Sequence, residues 1–272
     1  MRALCAVLAA LACSTGAAEE RPLWELGMGL SVLALPDYRG ADQGRGWVLP
    51  VPYLVYRGEV FKADRKGMRG ELLGVERMTL QLSVAASLPV DSSRNDARSG
   101  MPDLKPSLEF GPALEFTLWR DGERDLLQLR LPLRAAFTLE SSSRSVGWVA
   151  TPNLNLDLPG SGALQGWNFG VLAGPVFGDR RQHEYFYGVA PQFATPQRPA
   201  YEAHGGYAGL FSIVSLSRRF NGYWIGAFLR ADTLRGAVFN ASPLVRSDAY
   251  VAGGVAIAWI LGESAERVEA PE

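Results

Sequence analysis

Two histidines are the first residues in this sequence that could do acid–base chemistry. His183 and His204 lie in a long polar stretch, and Ser212 follows shortly after it. A histidine within hydrogen-bond reach of a serine can act as a general base, as in a lipid-modifying enzyme, but no local motif here predicts that reach. Neither histidine has the spacing of a metal site. We therefore expect two solvated loop histidines, and no catalytic residue, metal or cofactor.

Charged residues form a second group, because they recur at alternate positions of the predicted strands. They are Glu25, Glu109, Glu115, Arg130, Arg134 and Asp157. Inside a barrel these side chains would either select solutes at a charged constriction or pair into a plug. A barrel of about twelve strands lies between small filled barrels and open porins. That size favours the plug, and the constriction stays as an alternative.

A third group is aromatic and lies in the longest polar stretch. Its members are Tyr185, Phe186, Tyr187 and Tyr201. Aromatic side chains are favoured at interface hot spots, so these four are a candidate recognition patch on an exposed loop. The alternative is that the loop folds inward and buries them. The sequence supports the two alternatives equally.

The elements that would position these groups are strands. Apolar residues alternate with small or polar ones from Met78 to Leu88, Ser107 to Leu118, Leu127 to Thr138 and Trp148 to Leu158. A period of two cannot form a helix face. Runs of about 9–11 residues with one apolar face suit transmembrane β-strands. Prolines inside the proposed strands, Pro152 and Pro175 among them, predict bulges or breaks.

The connections between these strands alternate in length. Short turn signals such as Asp121-Gly122, Pro159-Gly160 and Asn221-Gly222 suit hairpins. Long polar stretches separate them: Pro36 to Arg45, Asp91 to Asp103, Glu140 to Ser145, Asp179 to Gly206 and Thr233 to Ser247. Outer-membrane barrels have short periplasmic turns and longer outer loops. The sequence therefore predicts an all-β, antiparallel transmembrane barrel of about twelve strands, with two uncertain short strands between Glu59 and Val75.

The ends of the chain divide it into three parts. Residues 1–18 have a positive residue, an apolar run and a small-residue stretch, the pattern of a signal peptide for export. Both cysteines, Cys5 and Cys13, lie in this segment, and Cys13 also lies in a loose lipoprotein processing box that would leave it lipidated. We expect the barrel over residues 19–261 and a polar tail over residues 262–272. The 27 basic and 28 acidic residues nearly balance, which indicates no nucleic-acid partner.

Several short features then resemble one family of outer-membrane proteins, the MltA-interacting protein/OmpV family. They are Pro36-Asp37-Tyr38-Arg39-Gly40, Leu49-Pro50-Val51-Pro52-Tyr53, Tyr185-Phe186-Tyr187-Gly188-Val189 and Ser242-Pro243-Leu244-Val245, in this order. The polar tail from Gly262 departs from the family pattern, since such barrels usually stop at an aromatic residue.

The resemblance implies a non-catalytic scaffold in the outer membrane. The implied partners are outer-membrane lipid, a murein-degrading lytic transglycosylase and a murein synthase. Other members look like adhesins or affect permeability, so a passive pore or an adhesion or permeability protein is the alternative. An outer-membrane lipid-modifying enzyme is a second alternative.

Overall fold

A computed structural model describes residues 19–57, 61–64, 67–70, 73–75, 77–121, 124–161 and 164–270. The predicted signal peptide, both cysteines, and parts of the stretch from Glu59 to Val75 and of the Asp121-Gly122 turn lie outside these residues. The strands, in chain order, are β1 Glu19–Pro22, β2 Trp24–Pro36, β3 Gly44–Arg57, β4 Phe61–Asp64, β5 Gly67–Gly70, β6 Leu73–Val75, β7 Met78–Ser87, β8 Ser107–Asp121, β9 Arg124–Thr138, β10 Ser145–Ala150, β11 Asn153–Pro159, β12 Trp167–Gly178, β13 Gly206–Phe220, β14 Tyr223–Thr233, β15 Ala249–Glu263 and β16 Arg267–Ala270. Helix α1 spans Arg180–Tyr187, and short 3-10 turns lie at Ser92–Arg94, Asp96–Arg98 and Pro191–Phe193.

One large antiparallel sheet contains β2 to β15. Its hydrogen-bonded order runs β5-β4-β3-β2-β15-β14-β13-β12-β10-β9-β8-β7-β6, with β11 between β12 and β9. The antiparallel all-β fold is therefore confirmed. β2, near the start of the described chain, pairs with β15, near its end. β5, at one end of the strand order, lies close to β7, which is next to the other end. Closure of the barrel between these two ends stays a prediction.

Burial follows the alternation that the sequence predicts. In β2 the even positions are apolar and exposed, with Met28 58% and Val32 54% exposed, whereas Glu25 and Ser31 are buried. The same holds in β8, where Phe110 is exposed and Glu115 is buried. The large sheet thus has an apolar outer face and a polar inner face, as a membrane barrel requires.

Two of the prolines interrupt the sheet as expected. Pro152 lies in the gap between β10 and β11, which together occupy one strand position between β9 and β12. Pro175 adjoins a register shift in the β12–β13 ladder. Counting β10 and β11 as one, the described residues form ten long strand positions and the short strands β4, β5 and β6. The total of thirteen is close to the predicted twelve, but the described part of the stretch from Glu59 to Val75 contains three short strands and not the two predicted.

The connections separate the sheet into two ends. The loop end has the connections 37–43, 88–106, 139–144, 179–205 and 234–248, which match the five long stretches predicted from the sequence. The opposite, turn end has the two-residue turn Asn221-Gly222, where Gly222 has a φ of 90° that favours glycine. The expected tight turn at Pro159-Gly160 is wrong, because the β11–β12 connection extends over residues 160–166. Gly160 extends the β11–β12 pairing by one residue, since its N–H donates to Trp167 O (2.7 Å).

The first and last described strands pair beyond the turn end. β15 continues to Glu263, and β16 pairs with β1 from Glu19 opposite Ala270 to Pro22 opposite Arg267. Ser264 joins this ribbon to the sheet, since Trp24 N–H donates to its Oγ (3.1 Å) and its own N–H donates to Trp24 O (3.0 Å). The predicted polar tail, which starts at Gly262, therefore begins inside β15 and includes strand β16 of this two-stranded ribbon.

Candidate functional site

The loop end is closed by a hydrophobic core of its own, here called the loop core. Its buried members come from four of the long connections and from the adjoining strand ends. They include Tyr38, Ala41, Val90, Leu104, Tyr187, Val189, Ala203, Leu234, Phe239 and Leu244. Phe239, Leu234 and Leu244 are completely buried. Because these buried side chains belong to one contact cluster, the four connections pack together as a single unit at this end of the sheet.

The first connection enters this core through three consecutive residues. Tyr38 Oη donates to Leu244 O (2.8 Å), and burial raises the pKa of its phenol above the ordinary value. Gly40 has a φ of 92°, and its carbonyl accepts from Arg246 N–H (2.7 Å). Glycine suits this left-handed backbone, and a Cβ at this position would lie 2.7 Å from the Leu234 side chain.

Arg39 forms a charged cluster with two residues of β14. Its Nε donates to Asp232 Oδ1 (2.8 Å), and Arg230 Nη2 also donates to Asp232 Oδ1 (3.0 Å). Burial opposes the charge on Arg39, yet Tyr187 and Asp232 raise the pKa of its guanidinium. Two guanidinium groups therefore share one buried carboxylate. This cluster could not be predicted from the sequence, because Arg39 and Asp232 are 193 positions apart and no local pattern joins them.

Arg98 links two of the long connections, 88–106 and 179–205, from within the loop core. It is only 3% exposed, and its guanidinium donates to Phe186 O (3.1 Å), Pro102 O (3.1 Å) and Ser92 Oγ (3.2 Å). Burial lowers the pKa of this guanidinium. Its three acceptors satisfy the buried donors, which is what a buried arginine requires.

The two histidines differ in environment. His204 is exposed, as expected, but the expectation of a solvated His183 is wrong, because His183 is 1% exposed. Its Nδ1 lies 2.6 Å from His204 O and must donate to that carbonyl. Burial lowers the pKa of His183 below its usual 6.5, which favours the neutral ring. Ser212 Oγ donates to Ala231 O (3.5 Å), so the hydrogen bonds of the described residues do not join either histidine to Ser212.

The four aromatic residues of the candidate recognition patch all pack against the loop core. Tyr187 is 4% exposed and stacks on Phe239 with ring centroids 3.7 Å apart. Tyr185, Phe186 and Tyr201 are partly buried against the same core. The loop therefore folds inward, as the second alternative stated, and Tyr187 is the most deeply buried of the four residues. Recognition by the partly exposed three stays a prediction.

The charges predicted for the lumen lie on the inner face of the sheet and form pairs. Arg134 Nε donates to Glu109 Oε2 (3.0 Å), and Arg130 pairs with Glu115 directly across the β8–β9 ladder. Gln81 adds a hydrogen bond to Glu115 (2.6 Å). These bonds run along the inner face between the neighbouring strands β7, β8 and β9.

Glu25 and Asp157 complete the predicted set nearer the turn end. Glu25 is fully buried, and its carboxylate accepts from Arg219 Nε (3.0 Å) and Tyr53 Oη (3.1 Å). Asp157 is partly buried and accepts from Asn155 Nδ2 (2.9 Å). The structure thus places all six predicted residues on the inner face, though in separate clusters and not in one ring.

A cavity of about 740 Å³ lies between the loop core and the paired charges. Arg39, Arg230 and His183 line its upper part, and the Glu109–Arg134 and Glu115–Arg130 pairs line its floor. Phe186, Phe211, Phe239 and Tyr187 give it an aromatic wall. A cavity of this size and mixed lining is typical of a small-molecule site. Over the part of the chain that the structure describes, no group of three metal-ligating side chains is present.

Two comparisons with known proteins cover most of the chain. The crystal structure of the toluene transporter TbuX of Ralstonia pickettii is similar over 91% of this chain and 71% of that chain, with 9% identity and a TM-score of 0.26. No curated protein sequence matches the chain. Among the described helices none is long and apolar enough to cross a membrane. The sequence model of the family described as MltA-interacting protein MipA matches residues 28–261, nearly the whole chain. The chain therefore belongs to the MltA-interacting protein MipA family.

Proposed function

We propose that this protein is an outer-membrane barrel that serves as a non-catalytic scaffold for cell-wall enzymes. Its first partner would be a lytic transglycosylase of the MltA kind, because the family is described as MltA-interacting. A murein synthase would be the second. The apolar outer face of β2, β8 and the other long strands supports the membrane location.

The observation that carries the scaffold proposal is the arrangement of the turn end. The first and last described strands, β1 and β16, lie there and pair with each other as a ribbon. Leu23 N–H donates to Glu266 O (2.9 Å), so the ribbon is fixed directly below the strands. With termini in the periplasm, this ribbon and the neighbouring short turns would face the murein layer, where a transglycosylase acts.

The interior supports a role that does not depend on solute flow. Five of the six predicted lumen charges form ion pairs on the inner face, Asp157 accepts a hydrogen bond from Asn155, and the loop core covers the opposite end. A buried pair is costly to separate, because each charge would lose its partner in a low-dielectric interior. These contacts favour the plug over the charged constriction.

The proposal is tested by binding of a purified MltA-type transglycosylase to the full mature chain in nanodiscs. The variant ends after Glu266, which removes β16 but keeps the Ser264 and Glu266 contacts to the sheet. Arg235→Gln, on the exposed loop end, is the matched control. We expect the control to bind as the wild type does and the truncated chain to bind at least about tenfold more weakly, a loss of about 1.4 kcal/mol.

The reverse results would contradict the proposal. If the wild type does not bind the transglycosylase, the scaffold function is wrong. If the truncated chain, with an unchanged unboiled gel mobility, binds as tightly as the wild type, the ribbon is not the contact.

A further inference from the structure

The cavity below the loop core contains polar atoms that the protein itself does not satisfy. Arg39 Nη2, Asn153 Oδ1 and His183 Nε2 are buried and have no hydrogen-bond partner among the described residues. All three residues line this one cavity. Buried polar groups in native proteins are nearly always paired with protein, water or a ligand. Three unpaired atoms around one space of about 740 Å³ therefore point to something bound in it.

The three atoms differ in the partner that each requires. Arg39 Nη2 is a cationic donor, and its cluster has one positive charge in excess because Arg39 and Arg230 share Asp232. His183 donates through Nδ1 to His204 O, so Nε2 of the neutral ring is an acceptor. Asn153 Nδ2 donates to Thr151 O (2.7 Å), which leaves Oδ1 as a second acceptor. A matching ligand needs an anionic oxygen and at least one hydroxyl or amine hydrogen.

Above the charged floor, part of the cavity wall is apolar, and part of the lining reaches the outer face of the sheet. Phe186, Phe211 and Phe239 line one side. On the other side the lining includes consecutive residues of β7, among them the outward-facing Leu82 and Val84, which are 40% and 45% exposed. A ligand with an apolar chain could thus keep its polar end inside and extend its chain toward the lipid side of β7.

We infer that the cavity binds an anionic amphiphile whose head group has an acidic oxygen beside a hydroxyl, as in a 3-hydroxy fatty acid. The acidic oxygen accepts from Arg39 Nη2, and the hydroxyl donates to His183 Nε2. The acyl chain lies against the aromatic wall and β7. This binding site is separate from the turn end, so it does not depend on the scaffold function.

The test is calorimetric titration of the detergent-solubilised full chain, with the heats of empty micelles subtracted. The probes are 3-hydroxydecanoate, decanoate, which lacks the hydroxyl, and methyl 3-hydroxydecanoate, which lacks the charge. We expect the wild type to bind 3-hydroxydecanoate about tenfold more tightly than either analogue, since each removes one hydrogen bond to a buried group. Equal affinity for all three would mean that the cavity holds only water, and would overturn the inference.

Variants then assign each preference to its residue. Arg39→Gln should abolish the preference for the acid over its ester and keep the preference for the hydroxyl. His183→Phe should do the opposite. Arg180→Gln, an exposed change on the same helix as His183, should keep both preferences. Preferences that survive in the first two folded variants would contradict the assignment, and the comparison of probes on the wild type needs no variant.

A shorter probe distinguishes an amphiphile from a water-soluble acid. 3-Hydroxybutyrate has the same head group and almost no apolar chain. We expect it to bind far more weakly than 3-hydroxydecanoate, because it leaves the aromatic wall and β7 uncovered. Equal affinity of the two acids would show that the ligand is a soluble hydroxy acid and would refute the amphiphile.

Discussion

Replacing Phe239 with alanine should open the loop core without unfolding the strands. Phe239 is fully buried, stacks on Tyr187 at 3.7 Å with rings 10° apart, and meets His183 edge-on at 4.7 Å. Truncating a buried phenylalanine to alanine costs about 3–5 kcal/mol, because the cavity that remains is only partly refilled. Since the loop core consists mostly of residues from the connections, the substitution should reduce the stability of the loop core and not that of the sheet.

Trypsin cleavage after Arg181 reports this opening. Arg181 is exposed, but its bond lies inside α1, which Asp179 caps by accepting from Gln182 N–H (2.8 Å). Cleavage therefore requires α1 to unwind. When opening is fast relative to cleavage, the cleavage rate follows the open population, so a loss of about 3–5 kcal/mol in Phe239→Ala should raise that rate roughly 10²- to 10⁴-fold.

The matched control is Phe169→Ala on β12, whose side chain is 39% exposed on the outer face. It should leave the cleavage rate nearly unchanged. Both variants should keep the faster gel mobility of an unboiled barrel. An unchanged cleavage rate in Phe239→Ala would refute the loop core as an independent packing unit. A joint loss of barrel mobility would refute its separation from the strands.

Three further outcomes follow from the same contacts. Burial holds the pKa of His183 below its usual 6.5, so the opened loop core binds more protons than the closed one, and the stability of the loop core should fall as the pH drops below 6.5. Hydrogen exchange in α1, corrected for intrinsic rates, should therefore accelerate at low pH in the wild type and not in His183→Gln. Glu25→Gln should destabilise the barrel to denaturant by about 3–5 kcal/mol, since it removes the buried partner of Arg219, whereas Glu263→Gln, 43% exposed against the same arginine, should change little. The wild type should give no conductance steps in planar bilayers, because the described lumen charges are paired; regular steps would favour the pore.

The strands were predictable because their signal is local. In β7 and β8 each apolar residue is two positions from the next, so the outer face can be read within a window of ten residues. The inward position of Glu109, Glu115, Arg130 and Arg134 follows from the same alternation. The pairing of these charges could also be anticipated, because it joins β8 and β9, which follow each other in the sequence and are neighbours in the sheet.

The loop core was not predictable in this way, since its contacts join distant segments. Tyr38 Oη meets Leu244 O across 206 positions, and Ser242 Oγ meets Tyr187 O across 55. Polar composition made the 179–205 stretch look solvated, although His183 lies in its core. The available signal was indirect: Tyr38, Tyr187 and Ser242 all belong to the short features that resemble the family, and the structure brings those features together.

The unequal lengths of the connections give the two ends different capacities for binding. An antiparallel sheet places alternate connections at opposite ends, and here the loop end receives nearly all of the connecting residues. Those loops direct their aromatic side chains, Tyr187 and Phe239 among them, into their own core and around a cavity. Such an end suits a small ligand held inside. The turn end has little chain to bury and instead presents backbone and the β1–β16 ribbon, which suits a protein partner. A ligand in the cavity and an enzyme at the ribbon would therefore bind without competing, and saturating the cavity with 3-hydroxydecanoate should leave transglycosylase affinity unchanged.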